Sequence, residues 1–455
     1  MTPFLQVSLT APAAPHILIM NTLRVKNGEA MERQPIRTFD IALVQARVAD
    51  CRDNDSQINP RRNVLVLRQE MEQHGGLASY IHKIESGAIQ TEPLIIRANT
   101  GESVDIRLLN FTGEPIDTPL TKRLYTGTKP HAIPLHGHVD AWRGAAGALL
   151  VEEAGTTFHD AQTGEDLLSG TNAVIRRADG TAFREFVLLV QDACLNGRSE
   201  PMAKRLDKQK DSAYCFSSIL HGDPDTPRFE TYPGEELMIR LLSDDDDENY
   251  SFHLAGMPIN EDSADTSIHI TQPYAPGDYL YYFGGTDGIR LGLWGLIRTY
   301  SHPVRKLPVL NRDRYPVFAP LPQPNDTACI RSYEFAAVQR RAPGLRRNVP
   351  EKRLIIPFSD VSRARHRTYH PEHPVLEAQA GDWIRITLHN LLPPSSSRVF
   401  LSPQSFSYDP VFHAGMNIGR NPWEQTVKPG ERRTYLWHAD RTLTDDKAKL
   451  NFFFL

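Results

Sequence analysis

One pattern of apolar and polar positions occurs three times along the chain. Gly101-Glu102-Ser103-Val104-Asp105-Ile106-Arg107-Leu108, Gly234-Glu235-Glu236-Leu237-Met238-Ile239-Arg240-Leu241 and Gly381-Asp382-Trp383-Ile384-Arg385-Ile386-Thr387-Leu388 each open on a glycine–acid pair. Apolar residues then fall three, five and seven places after the glycine. Side chains separated by two lie on one face of a strand, so each copy predicts a turn followed by a strand with one buried face. Asn110 and Asn390 close the first and third copies at the same offset. Between Tyr274 and Tyr300 the pattern predicts a hairpin. A Pro276-Gly277 turn leads into Asp278-Tyr279-Leu280-Tyr281-Tyr282, then a loop with Gly284, Gly285, Asp287 and Gly288, then Gly292-Leu293-Trp294-Gly295-Leu296-Ile297.

Each copy is followed by a predicted strand carrying histidine: Pro134-Leu135-His136-Gly137-His138, Ser251-Phe252-His253-Leu254, and Val411-Phe412-His413-Ala414. The spacing is that of one Greek-key sandwich and too long for a solenoid repeat. The expected organisation is an N-terminal arm over 1–36 and β-sandwich domains over 37–195, 196–302 and 330–455, with a proline-rich connector over 303–329. Phe183 to Val190 reads as the last strand of the first domain. Prolines at 303, 308, 316, 320, 322 and 324 keep the connector extended. The apolar end, Asn451-Phe452-Phe453-Phe454-Leu455, reads as docked in a sheet or interface.

Composition supports an all-β reading: 34 prolines and 29 glycines punctuate short β-rich runs in 455 residues. A net charge of -4 gives no bulk attraction to nucleic acid or to an anionic membrane, and no window has the apolar length of a spanning helix. The first twenty residues lack a basic n-region, so a cytoplasmic location is expected. Four cysteines (Cys51, Cys194, Cys215 and Cys329) make no disulfide framework.

The hairpin resembles the closing hairpin of a cupredoxin domain in the multicopper oxidase family. Further pieces are similar to the large bacterial, manganese-oxidase-like group: Gly147 to Gly155, Phe183-Arg184-Glu185-Phe186, Gly292-Leu293-Trp294-Gly295, and Asn417-Ile418-Gly419-Arg420-Asn421-Pro422 with Gln425 to Gly430. The resemblance implies three tandem cupredoxin-like Greek-key β-sandwiches and copper as cofactor. It also implies a His-Cys-His-x-x-x-His loop before the Gly-Leu pair, and those four places hold Tyr282, Phe283, Gly284 and Gly288. None offers nitrogen or sulfur to a metal, so a type 1 blue copper is not expected. The family's trinuclear centre needs four His-x-His pairs, and this chain has one, His136 and His138.

His136 and His138 alternate on a strand and face one side, as a metal pair requires. With His253 or His413 they would complete a three-nitrogen copper site. The competing reading makes all four hydrogen-bonded strand residues. His438 reads as core-rim. His366, His370 and His373 lie in a proline-bearing, arginine-rich loop unsuited to a cation. The acidic run from Asp244 to Glu248 lacks calcium-loop spacing and reads as a solvated turn. Two functions follow from the resemblance. One is a copper-dependent oxidoreductase with a reduced histidine site, acting on a small organic substrate. The other is a non-catalytic scaffold subunit that completes a site with another chain, as a homo- or hetero-oligomer joined through the third domain.

Overall fold

The computed structural model describes residues 36–47, 61–113, 121–135, 145–190, 216–224, 226–243, 252–257, 267–271, 274–283, 289, 292–310, 324–325, 327–340, 352–366, 368–369, 376–394, 398–403, 406–439 and 450–454. The fold is all-β, built as three cupredoxin-like sandwiches. Sandwich 1 holds β1 (Ile36–Arg47), β2 (Arg61–Leu67), β3 (Leu94–Asn99), β4 (Ser103–Asn110), β5 (Thr121–Tyr125), β6 (His131–Pro134) and β7 (Gly147–Glu152). Its sheets, in the orders β2-β1-β4-β5 and β3-β7-β6, close over Ile41, Leu43, Leu65, Ile96, Leu149 and Val151.

Sandwich 2 holds β8 (Thr157–Asp160), β9 (Asn172–Arg176), β10 (Ala182–Val190), β11 (Phe229–Thr231), β12 (Leu237–Ser243), β13 (Phe252–Leu254), β14 (Ser267–Ile270), β15 (Gly277–Phe283) and β16 (Trp294–Thr299). The sheets run β14-β12-β10-β9-β8 and β11-β16-β15-β13. Sandwich 3 holds β17 (Ile330–Arg340), β18 (Lys352–Pro357), β19 (Trp383–Asn390), β20 (Val399–Pro403), β21 (Arg432–His438) and β22 (Leu450–Phe454), as β18-β17-β19-β21 over the pair β20-β22. The apolar C-terminal run forms β22, antiparallel to β20.

The threefold sequence pattern corresponds to a threefold structural unit. Its centre is a parallel pair: β1 with β4, β10 with β12, β17 with β19. An antiparallel strand flanks each side of that pair: β2 and β5, β9 and β14, β18 and β21. Phe183 to Val190, read from sequence as the end of the first domain, thus lies at the heart of sandwich 2. It pairs with β12 across the 191–215 segment, and Phe186 and Leu188 pack against Ile239, Leu241 and Tyr281. Parallel partners far apart in the chain leave no local sequence signal of which sheet they share.

The glycine–acid turn explains itself in the same way three times. Gly101, Gly234 and Gly381 take φ of 81°, 76° and 94°, which glycine adopts without a Cβ clash. The following carboxylate accepts the backbone N–H three residues back: Asn99 to Glu102 at 3.1 Å, Tyr232 to Glu235 at 3.1 Å, and Gln379 to Asp382 at 2.8 Å. An arginine from the parallel neighbour then pairs with it. Arg37 meets Glu102 at 3.0 Å, Arg184 meets Glu235 at 2.5 Å, and Arg331 meets Asp382. Register is identical, since each arginine sits opposite the residue two beyond the acid. These latches pin the start of each of the three central parallel pairs.

Two adjacent helices interrupt the β-pattern of sandwich 1. α1 (Arg68–Gln73) and α2 (Leu77–Glu85) cover the second face of β1 and β2, placing Met71, Tyr80 and Ile84 on Ala42, Val44 and Val66. Sandwich 3 covers the equivalent face with the 3-10 turns Phe358–Asp360 and Arg363–Arg365 and with Tyr369, which lies on Ala336 and Ile356. Among the described residues no helix is long and apolar enough to cross a membrane.

Candidate functional site

His253 and His413 are the described members of the candidate histidine set, and both lie near the junction of sandwiches 2 and 3. On β13, Phe252 and Leu254 face the interior of sandwich 2, which sends His253 to the opposite side. There its ring stacks on Tyr282, with centroids 4.8 Å apart and planes at 21°. Burial lowers its pKa below the ordinary histidine value. Tyr282 in turn neighbours Tyr408, whose fully buried phenol is pushed well up by desolvation, then by Tyr282. The Tyr408 hydroxyl has no hydrogen-bond partner among the described residues.

His413 sits in a turn of sandwich 3. Its N–H donates to the Asp409 carbonyl at 2.8 Å and its carbonyl accepts from Trp437 Nε1 at 2.8 Å, so the backbone is fixed at both ends. Its ring nitrogen Nδ1 is buried without a partner among the described residues. Burial, reinforced by Arg433, depresses the imidazole to about 4. It is therefore neutral at physiological pH, the form that ligates metals. Phe412, exposed beside it, lies 6.0 Å from the exposed ring of Trp423.

The segment carrying His413 crosses the start of β15, and the crossing explains the Asn417–Pro422 motif. Arg298 Nε and Nη2 donate to the Asp278 carboxylate at 2.8 and 2.7 Å, and the Arg420 backbone N–H adds a bond at 2.7 Å. Asn421 accepts from the Asp278 N–H at 2.8 Å and donates to the Asp278 carbonyl at 2.9 Å, working as a substitute neighbouring strand. At Gly419 a Cβ would lie 1.9 Å from Asp278 Oδ2, so no side chain fits. Asp223, beyond α3 (Ser218–His221), joins through Arg298 at 2.8 Å and through Arg420 at 3.2 Å. Hydrogen bonding from Arg298 holds its carboxyl well below the usual range.

A second polar constellation, at the junction of sandwiches 1 and 2, was not anticipated. Arg97 on β3, Glu152 on β7, Glu185 on β10 and Arg240 on β12 are all buried. Arg97 Nε donates to Glu185 Oε2 at 2.8 Å, Arg240 Nε donates to Glu185 Oε1 at 2.9 Å, and Arg240 Nη2 reaches Glu152 Oε1. Ile95, Ala148, Leu150, Val187 and Leu242 form an apolar shell on the same strand faces. Burial opposes the Glu185 charge, but the Arg97 and Arg240 guanidiniums outweigh it and hold that carboxyl below its ordinary range. For Glu152 burial wins and pushes the carboxyl up to about 7. The available signal was a charged residue in an otherwise apolar strand: one each in β3, β7 and β12, as in Leu94-Ile95-Ile96-Arg97, and the Arg184-Glu185 pair in β10.

His136 and His138 lie outside the described residues, as do His370, His373, Gly284, Gly288, the acidic run 244–248, and Cys51, Cys194 and Cys215. Cys329 is free and exposed. Among the described residues no group of three or more His, Cys, Asp or Glu side chains is placed to hold a metal ion. His253 and His413 thus do not make a metal centre with other described residues, although the unpartnered Nδ1 of His413 suits a metal donor.

No family model matches the chain, and no curated protein matches it. Among solved structures, the chain is similar to multicopper oxidases. Fet3p, a multicopper oxidase that functions in iron import, aligns at 12% identity over 89% of this chain and 84% of its own, with a TM-score of 0.29. A multicopper oxidase from Pseudomonas thermotolerans aligns at 11% identity over 90% and 93%, with a TM-score of 0.31. A laccase from Botrytis aclada aligns at 10% identity over 82% and 74%, with a TM-score of 0.30. Overlaps this shallow add nothing to the strand order, on which the fold assignment rests.

Proposed function

We propose that the chain is a multicopper-oxidase-like protein without a type 1 copper, using a reduced histidine site to oxidise a small organic substrate. His136 and His138, with His253 or His413, would hold the copper. When bound, the metal would supply one-electron oxidation. The observation that carries this reading is the state of His413: a neutral imidazole on a fixed backbone, with a buried Nδ1 lacking a described partner. The test is metal analysis and electron paramagnetic resonance of copper-loaded, desalted protein. Copper should stay with the wild-type chain and be lost from His136→Ala and from His413→Ala. Equal retention by all three, or none by the wild type, ends the proposal.

A second reading, a scaffold subunit completing a site with another chain, draws on the exposed Phe412–Trp423 pair of sandwich 3. Light scattering should then report an assembly that Trp423→Ser disperses. A monomer that turns over substrate would exclude this reading.

A further inference from the structure

We infer that closing the junction between sandwiches 1 and 2 takes up one proton at Glu152, so that the junction loosens as pH rises. Geometry carries the argument. Glu152 is the last residue of β7, and only the Glu153–Thr156 turn separates it from β8. Its partner lies on the other sandwich, so the contact exists only while the junction is closed. That partner, Arg240, is shared: its Nε belongs to Glu185, which also takes Arg97. The better-placed carboxylate therefore holds contacts from both guanidiniums, and Glu152 receives one nitrogen of Arg240.

The charged groups facing Glu152 are Arg240 of β12, Glu185 of β10 and Arg97 of β3. From β6, His131 pairs with Val151 but turns its Nδ1 to the Lys129 carbonyl at 2.9 Å. Among the described residues no strand of sandwich 1 shares a sheet with sandwich 2. Among the described residues the joint includes this tetrad, its apolar shell, the Arg37 guanidinium over the Phe158 ring, and contacts such as Asn99 Nδ2 to the Thr156 carbonyl and Thr171 to Glu92.

Burial lifts the Glu152 carboxyl from its ordinary 4.5 to about 7. Opening would hydrate it and return it to the lower value. Between these values the closed state binds the proton and the open state does not. Opening should therefore become more favourable by up to about tenfold per pH unit across that window and level off above pH 7.

Hydrogen exchange on the full chain between pH 5 and 8, corrected for intrinsic rates, reads this directly at the amides of β3, β7, β10 and β12. The wild type should lose protection as pH rises towards 7, and Glu152→Gln should show a flat dependence there. Infrared spectra should show a buried protonated carboxyl at pH 6 that titrates near 7 and is missing from Glu152→Gln. Should that variant fail to fold, Glu152→Leu, an apolar side chain within an apolar shell, takes its place. The inference is overturned if the variant keeps the wild-type dependence or the carboxyl band is absent.

Discussion

The two junctions of the molecule are built from opposite materials. Between sandwiches 1 and 2, four buried ionisable side chains sit inside a shell of five buried apolar residues. Between sandwiches 2 and 3, the outer face of the β15–β16 hairpin enters the core of its neighbour. Leu280, Trp294 and Leu296 share one cluster with Ile386, Phe400, Tyr408 and Trp437. Desolvation offsets most of what a buried ion pair gains, whereas apolar burial is favourable without an opposing term of that size. The first junction therefore fixes orientation at little net stability, and the second makes sandwiches 2 and 3 one unit.

The sharpest way to break this contrast is to remove one charge. Glu185→Ala strands two buried guanidiniums and should cost about 3–5 kcal/mol. Its damage should be confined to β3, β7, β10 and β12 in hydrogen exchange. Trp294→Ala should cost a similar ~3–5 kcal/mol, but lower protection throughout sandwiches 2 and 3. Were its effect confined to sandwich 3, the two would not be one unit. Replacing the whole tetrad by apolar residues of matching volume should be neutral or stabilising by about 1–4 kcal/mol in denaturant unfolding.

The latches sharpen the same lesson at smaller scale. Arg184 is 0% exposed, against 39% for Arg37 and 32% for Arg331. The second latch is covered because the connector lies over it. Arg184 donates to the Pro308 carbonyl at 2.5 Å, and the Leu310 N–H donates to Glu235 at 3.1 Å. Glu235→Ala should cost about 3–5 kcal/mol. Glu102→Ala should cost ~1 kcal/mol or less, as for solvated pairs, plus the turn bond it loses. Equal losses in thermal unfolding would remove burial as the explanation.

A further effect is expected in pH dependence at His413. Its folded pKa, about 4, lies below that of an unfolded histidine, so the native state binds fewer protons between those values. Stability should fall as pH drops from about 6.5 towards 4. That slope should shrink in His413→Gln, and the imidazole resonance should titrate near 4.

Much of this was legible in sequence. Alternation located β4, β12, β15 and β19, and the glycine–acid pairs marked the turns, because both signals are local. The latch arginines were also within reach: Ile36-Arg37, Phe183-Arg184 and Ile330-Arg331 repeat an apolar–arginine pair at a strand start. What could not be read was pairing. That β10 joins β12, or that Arg97 meets Glu185, depends on parallel and inter-sheet contacts between distant segments. The helices were missed because α1 and α2 are short, and their apolar residues only make sense against the back of β1 and β2. Of the candidate site, the sequence offered individual histidines, since a ligand set is a property of packing.

Asn421 stands in for a peptide group, and that role carries a requirement over time. It must keep a donor and an acceptor together, and conversion to aspartate would erase the donor. Asparagine ages chiefly when the next backbone nitrogen attacks its side chain and closes a ring. The next residue is Pro422, whose nitrogen carries no hydrogen and cannot complete that closure. The rung that ties sandwich 3 to β15 is thereby shielded from the common route of chemical wear.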